Sequence, residues 1–441
     1  MTLRRMMAAA SAAAAAMLAM TAVVAPSAGA SEDDGGHGAH GASVLFVAGN
    51  GTPTNSGASC GTARFATIQS AVNAAGPGAT VVVCPGTYTE DVVVSAPLSL
   101  IGRQAVVMGS STANGQCDQL GPSGPGTAPC LAGITIKSSH VMVEGFTVEK
   151  AIGEGILATG SLKSGSITDV TIDDNVVVGN NIGGIPPSTT SPYPQCVEMG
   201  QIPGDCGEGI HLMGATHSRV LRNYVKGNEG GVLLTDEFGP THDNIVAGNV
   251  ITENAFDCGV TVPGHNPFAL NASGQRQPSV AGVYDNAIVF NWVTDNGLQG
   301  EGAGVLFANA GPGTASYDNV VAYNYLAGNE LSGVTMHAHT LPPGQFEDLN
   351  GNKVVRNVIG RNNVGSTQAG PGDPLDGPPA QDFQTTGVLV FSGSVPVHVT
   401  IAGNVIFDDH FGIWLGVNGN VVASVAGNVF HNVTVPSFTF S

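Results

Sequence analysis

The chain is poor in charge and in aromatic rings: only 11% of its 441 residues are Asp, Glu, Lys or Arg, and 6% are Phe, Trp or Tyr. So few charges cannot coat the outer faces of a helical bundle, and a helical bundle is excluded as the architecture. Basic residues are scarcest, 14 against 33 acidic, for a formal charge of -19. A chain this acidic repels phosphate backbones, which excludes nucleic acid as a partner. Apolar residues still make up 42%, enough to fill a large core, so global disorder is excluded too. What the sequence has in excess is glycine, 63 residues, about twice the usual share.

The first thirty residues carry Arg4 and Arg5, an Ala/Met-rich apolar stretch from Met6 to Val24, and Ala28-Gly29-Ala30, an A-x-A cleavage signal. This pattern predicts a signal peptide over residues 1–30, an uncleaved anchor being the alternative reading. A disordered lead over 31–42 and a single domain over 43–441 follow. The expected product is secreted, free of the membrane after cleavage, and monomeric. Seven cysteines, at 60, 84, 117, 130, 196, 206 and 258, then read as a disulfide set. Proximity in sequence pairs Cys60 with Cys84, Cys117 with Cys130 and Cys196 with Cys206. Cys258 is left as a buried, inert thiol.

The organising feature is a repeat. The unit Asn, two apolar residues, two variable residues, Asn recurs as NVVVGN (175–180), NYVKGN (223–228), NVITEN (249–254), NWVTDN (291–296), NYLAGN (324–329) and NVIGRN (357–362), and decays to NVIFDD (404–409) and NVFHNV (428–433). Most copies are followed by Gly, Val or Ile, one variable residue and another apolar residue, from Gly155, Gly209, Gly231, Gly259, Gly304, Gly333, Gly387 and Gly412. The shortest repeat is 24 residues, room for three short strands and three turns, with Val388, Val390, Ile413 and Leu415 pointing one way. Leucine-rich repeats share this length but need a Leu frame and usually a helical return, which are missing. The pattern predicts an all-β fold, a parallel β-helix solenoid whose coils stack at about 4.8 Å and align the asparagines into columns that satisfy backbone groups at the bends. An open end of such a stack needs a cover, and residues 64–76, with Phe65, Ile68, Ala71, Val72 and Ala75 at helical spacing, predict an N-terminal helical cap.

With its cap phrase IQSAVNAAGPGATVVVCPGTYTE at 68–90 and its generic coils, the chain resembles the pectin-lyase-like right-handed parallel β-helix superfamily over residues 44 to 435. The resemblance implies the fold, and it implies a choice among polysaccharide lyases, glycoside hydrolases, epimerases, copper-maturation proteins and non-catalytic surface proteins. It also suggests a substrate cleft along one face. The Asp-His and Arg-x-Pro-x-x-Arg signatures of pectate lyases, and the Asn-Thr-Asp and Gly-His-Gly signatures of polygalacturonases, are not found; Asp408-Asp409-His410 is a fragment of what an alginate epimerase would show.

Insertions at 183–206 and 364–384 precede a Gly-Val strand and those at 264–280 and 340–350 follow one, so the outward face of that strand should be a walled floor. Aligning the coils sets a row of carboxylates just upstream: Glu154, Glu208, Glu229, Asp257, Glu301, Glu330 and Asp409. Neighbours in such a row stand about 5 Å apart and next-but-one about 10 Å, which bracket the spacings of retaining and inverting glycosidases. The candidate acid and base or nucleophile are drawn from Glu229, Asp257, Glu301 and Glu237, and the candidate substrate contacts are His211, His265, His337 and Trp414. Clustered carboxylates also suit Ca²⁺, and they suit a plain solvated edge equally well. His337, His339 and His265 are candidate Zn²⁺ or Cu²⁺ ligands. Trp292, Tyr224 and Tyr325, in the apolar slot after a ladder Asn, are expected to pack. The leading expectation is a secreted protein that binds, and potentially cleaves, an extracellular polysaccharide; the alternative is a non-catalytic surface or metal-binding β-helix.

Overall fold

The computed structural model describes residues 43–109, 132–161, 163–181, 207–299, 302–364, 385–416 and 419–440, with the backbone of four two-residue strands between 116 and 129. Each repeat makes three faces. Strands on either side of the repeated Asn, such as Thr171–Asp173 and Val176–Val178, join a 21-stranded sheet. The Gly-Val segments form an 11-stranded sheet that runs from Val92–Val94 to Val435–Thr439, and a 5-stranded sheet from Ile167–Thr168 to Ser316–Tyr317 closes the third side. Each coil pairs in parallel with the next, Ile210↔Val232↔Val260↔Val305↔Val334↔Val388↔Ile413 being one file of partners. The expected parallel β-helix is what the chain forms.

The asparagines do what stacking requires of them. Asn223 donates its backbone N–H and its Nδ2 to Asn249 Oδ1 at 2.8 and 3.0 Å, and Asn249 repeats both bonds onto Asn291 at 3.0 Å. Each amide also donates to a carbonyl of the neighbouring coil, Asn249 to Val220 at 2.9 Å. A second ladder runs through Asn180, Asn228, Asn254, Asn296, Asn329 and Asn362. It ends on Asp409, whose Oδ1 accepts from Asn362 N at 3.2 Å. Asp409 is therefore a ladder residue, although strand alignment had put it in the acidic row. A third ladder of Asn244, Asn286, Asn319 and Asn352 was not anticipated.

The residue before each ladder position takes a left-handed backbone, Asp243 at φ 56° and Arg356 at 58° among them, which turns the chain through the corner. Period-2 alternation then sends the residue after the Asn outward and the next one inward. Val225, Val293 and Leu326 are fully buried, while Tyr224 and Trp292 are 38% and 43% exposed. The aromatic slot thus lies on the outside, a correction of the packing expectation, with Trp292 and Tyr325 stacked on each other at 4.0 Å.

Glycine leads the strands of the 11-stranded sheet for a steric reason. A Cβ on Gly259 would stand 2.2 Å from Val293 Cγ1, 2.8 Å from the Gly304 carbonyl oxygen and 2.9 Å from Asn296 Nδ2, and Gly155, Gly209, Gly231, Gly304, Gly333 and Gly387 meet the next coil's carbonyl in the same way. The glycines form their own column against the second Asn ladder.

The cap is a shorter helix than expected, Ile68–Ala74. Thr67 caps it, accepting from Ser70 N, and Phe65 is instead extended and bridges Val47 in parallel. Ile68, Ala71 and Val72 cover the core, and the Gln69 side chain pairs with the edge strand, donating to Val93 O at 3.0 Å and accepting from Val93 N at 2.7 Å. A side-chain amide thus stands in for a missing strand. Cys60 and Cys84 form a disulfide and Cys258 is a buried free thiol. The other two expected disulfides and residues 1–42 lie outside the described residues. No described helix is long and apolar enough to cross a membrane.

Candidate functional site

The outward face of the 11-stranded sheet holds the acids and imidazoles in close order. In register along it stand Leu157, His211, Leu233 and Thr261, then Leu306, Thr335, Leu389 and Trp414. His211 is fully buried and sits between two coils, with Nδ1 3.3 Å from Glu154 Oε1 and Nε2 2.8 Å from Thr235 Oγ1. Thr235 in turn hydrogen-bonds Glu237, whose Oε1 accepts from His265 Nδ1 at 2.7 Å. Carboxylate, imidazole, hydroxyl, carboxylate and imidazole so make one file across four successive coils.

Burial alone would lift the Glu237 carboxyl. The charges of His265 and His211, with hydrogen bonds from His265 and Thr235, outweigh it and hold Glu237 below the usual glutamate value. Its neighbour Asp236 moves the other way, pushed up to about 7 by burial and then by the Glu237 charge. Asp236 also fixes the corner: Oδ1 accepts from the amides of His265 and Asn266 at 2.7 and 3.0 Å, and Oδ2 from Gly282 N at 2.7 Å. Two coils on, His339 is bound the same way as His265. Glu347 accepts from its Nδ1 at 2.7 Å and its amide at 2.8 Å, and the His337 ring lies 4.6 Å from that of His339.

The upstream acids also gather. Glu208 Oε1 and Asp257 Oδ2 both come within 3.2 Å of the point a Cβ on Gly230 would occupy, and Asp257 Oδ2 accepts from Thr261 Oγ1 at 3.0 Å. Glu208 and Glu229 are buried, Glu330 is 6% exposed and Asp257 is half-buried. Glu301 lies outside the described residues. Trp414 is 2% exposed and packs with Leu389 and Phe391 in an apolar cluster. Sequence alignment put Glu237 and His265 at one position of neighbouring coils, where the structure bonds them. It did not connect Glu154 with His211, and Glu347 went unnoticed because it lies in a connection outside the strand frame.

Among the described residues, a group of three His and Asp donors converges elsewhere. One ligand atom from each of His217, His242 and Asp243 falls within 4.8 Å of the others, at the corner between the 5-stranded and 21-stranded sheets. His265, His337 and His339, the ligands expected from sequence, are not part of that group.

A family model described as "Periplasmic copper-binding protein (NosD)" matches residues 132–373, more than half of the chain. No curated protein matches. Among solved structures, the A-modules of the Azotobacter vinelandii mannuronan C-5 epimerases AlgE4 and AlgE6 each superpose with a TM-score of 0.51 at 16% identity, over 85% of this chain and 94% and 93% of theirs. The Dettilon tailspike protein gp208 gives 0.51 at 15% identity, over 88% of this chain and 68% of its own. At these identities the likeness shows the fold, a right-handed parallel β-helix.

Proposed function

Since the chain belongs to the family described as periplasmic copper-binding protein (NosD), we propose that it is an exported β-helix, and that it binds an extracellular polysaccharide and acts on it by acid–base chemistry along the 11-stranded sheet. The observation that carries this reading is the hydrogen-bonded file from Glu154 through His211 and Thr235 to Glu237 and His265. An ionised carboxylate on Nδ1 fixes the tautomer of an imidazole and makes its other nitrogen the basic one. In that arrangement Glu237 orients His265, which takes or returns a proton at a sugar carbon or a glycosidic oxygen. The copper of the family description enters no step of this chemistry.

Two of the similar structures are named mannuronan C-5 epimerases, which is the reason to include mannuronan in a panel of uronate and neutral glycans. The assay follows new reducing ends, unsaturated ends and changes in uronate composition. Glu237→Gln keeps the hydrogen-bonding shape and removes the charge, and the rate should fall by up to about 10⁴-fold, as when the carboxylate that orients a catalytic imidazole becomes an amide. A folded protein that gives no product on any polymer and no binding on a glycan array refutes the reading.

A further inference from the structure

His217 and Asp243 hold the same corner position on consecutive coils. Thr216 pairs with His242 in the 5-stranded sheet, His217 N donates to His242 O at 3.0 Å, and both corner residues have left-handed backbones, φ 51° and 56°. Each stands immediately before a ladder residue, and Ser218 N bonds Asn244 Oδ1 at 2.8 Å, so the buried ladder fixes the spacing of the two corners. Asp243 Oδ2 lies 2.7 Å from His242 Nδ1 and 3.7 Å from His217 Nε2.

The plane of the middle ring is set from behind. His242 lies flat on Tyr284 at 4.6 Å and 8°, Tyr284 stacks on Tyr317 at 4.9 Å, and the Arg276 guanidinium covers Tyr317 at 3.7 Å. The corner column continues as Asp285 and Asp318. Arg276 neutralises Asp318 at 2.6 Å, while Asp285 is held above the usual aspartate value by burial and then by the charges of Asp318 and Asp243.

We propose that His217, His242 and Asp243 bind a copper(II)-class divalent cation, through two imidazole nitrogens and one carboxylate oxygen, at the corner opening onto solvent. The donor chemistry fits: imidazole with carboxylate suits copper or zinc, whereas calcium takes six to eight oxygens. Donors on one ion with bonds of about 2.0–2.1 Å lie at most about 4.2 Å apart. The donors here, within 4.8 Å, need only a turn of the His217 ring, which is 57% exposed. The family description names copper, and this site assigns it residues that are independent of the polysaccharide reading.

The test uses the full chain titrated with copper(II) alone, by calorimetry and by electron paramagnetic resonance. One equivalent should bind with a two-nitrogen hyperfine pattern. Asp243→Asn should weaken it by more than the roughly 10–100-fold that loss of an outer-shell partner costs, and His217→Asn should remove one nitrogen. Asn tolerates the left-handed corner, so unchanged melting is expected for both variants. A His37→Gln, His40→Gln background and a His337→Gln, His339→Gln background should each keep the site. Unchanged affinity and nitrogen count in the His217→Asn, Asp243→Asn chain overturns the proposal, and so does loss of the equivalent in either background.

Discussion

Replacing Asn249 by alanine removes the centre of one ladder. Its side chain makes four hydrogen bonds: Oδ1 accepts from Asn223 N and Nδ2 at 2.8 and 3.0 Å, and Nδ2 donates to Val220 O and Asn291 Oδ1 at 2.9 and 3.0 Å. Asn291 Oδ1 keeps the Asn249 backbone N–H at 3.0 Å, and Asn223 Nδ2 keeps Ile172 O at 3.0 Å. The group stranded by the change is the buried Asn223 N–H, whose desolvation costs about 1–3 kcal/mol, on top of about 1 kcal/mol for each bond lost. The expected destabilisation is about 5–7 kcal/mol. Coils touch only their neighbours, so the effect should concentrate nearby. Hydrogen exchange of amides 220–225 and 250–252 should accelerate far more than that of amides near Val81, and the denaturant midpoint should fall. Asn271→Ala, on an exposed connection with local bonds to Ser273 and Gln275, is the control and should cost under about 1 kcal/mol. If the two variants melt alike and exchange around residue 223 is unchanged, the ladder is not what holds the coils in register.

Two further outcomes are expected. Gly259→Ala forces a methyl group into Val293 and the Gly304 carbonyl and should cost about 1–3 kcal/mol or more, whereas Gly49→Ala, which meets nothing within 4 Å, should be near neutral by chemical denaturation. Native Asp236, pushed up to about 7, holds a proton that the unfolded chain releases near its ordinary 3.8. Its contribution to stability is therefore full below about pH 4 and is lost as pH rises through about 7. A wild-type melting profile no steeper over that window than that of Asp236→Asn would contradict this.

Much of the fold was legible because stacking is a translational constraint. A residue that must repeat at every coil leaves a period in the sequence, and the Asn columns and the Gly column both do so. The third ladder was legible in principle: Asn244, Asn286, Asn319 and Asn352 each stand five residues before a ladder Asn already recognised, in Asp-Asn or Gly-Asn pairs. The outward turn of Tyr224 and Trp292 departs from the packing expectation for a related reason. A ladder Asn sits at a corner, so the alternation restarts there, and the first apolar residue after it falls outside.

The chemistry was less legible because it depends on which column supplies the frame. Aligned on the Gly-Val strand, Glu237 and His265 coincide, and they meet at 2.7 Å. Glu154 and His211 occupy different positions in that frame, yet a glutamate reaches from before one strand to the ring on the next. Aligned instead on the residue before the first ladder Asn, His217 and Asp243 coincide, followed by Asp285 and Asp318, and that frame brings out the converging donors which strand alignment scattered. A solenoid has as many candidate sites as it has outward columns. Each becomes visible only when the coils are registered on the column beside it, so ligands for this fold are better sought corner by corner than by the one repeat that happens to be strongest.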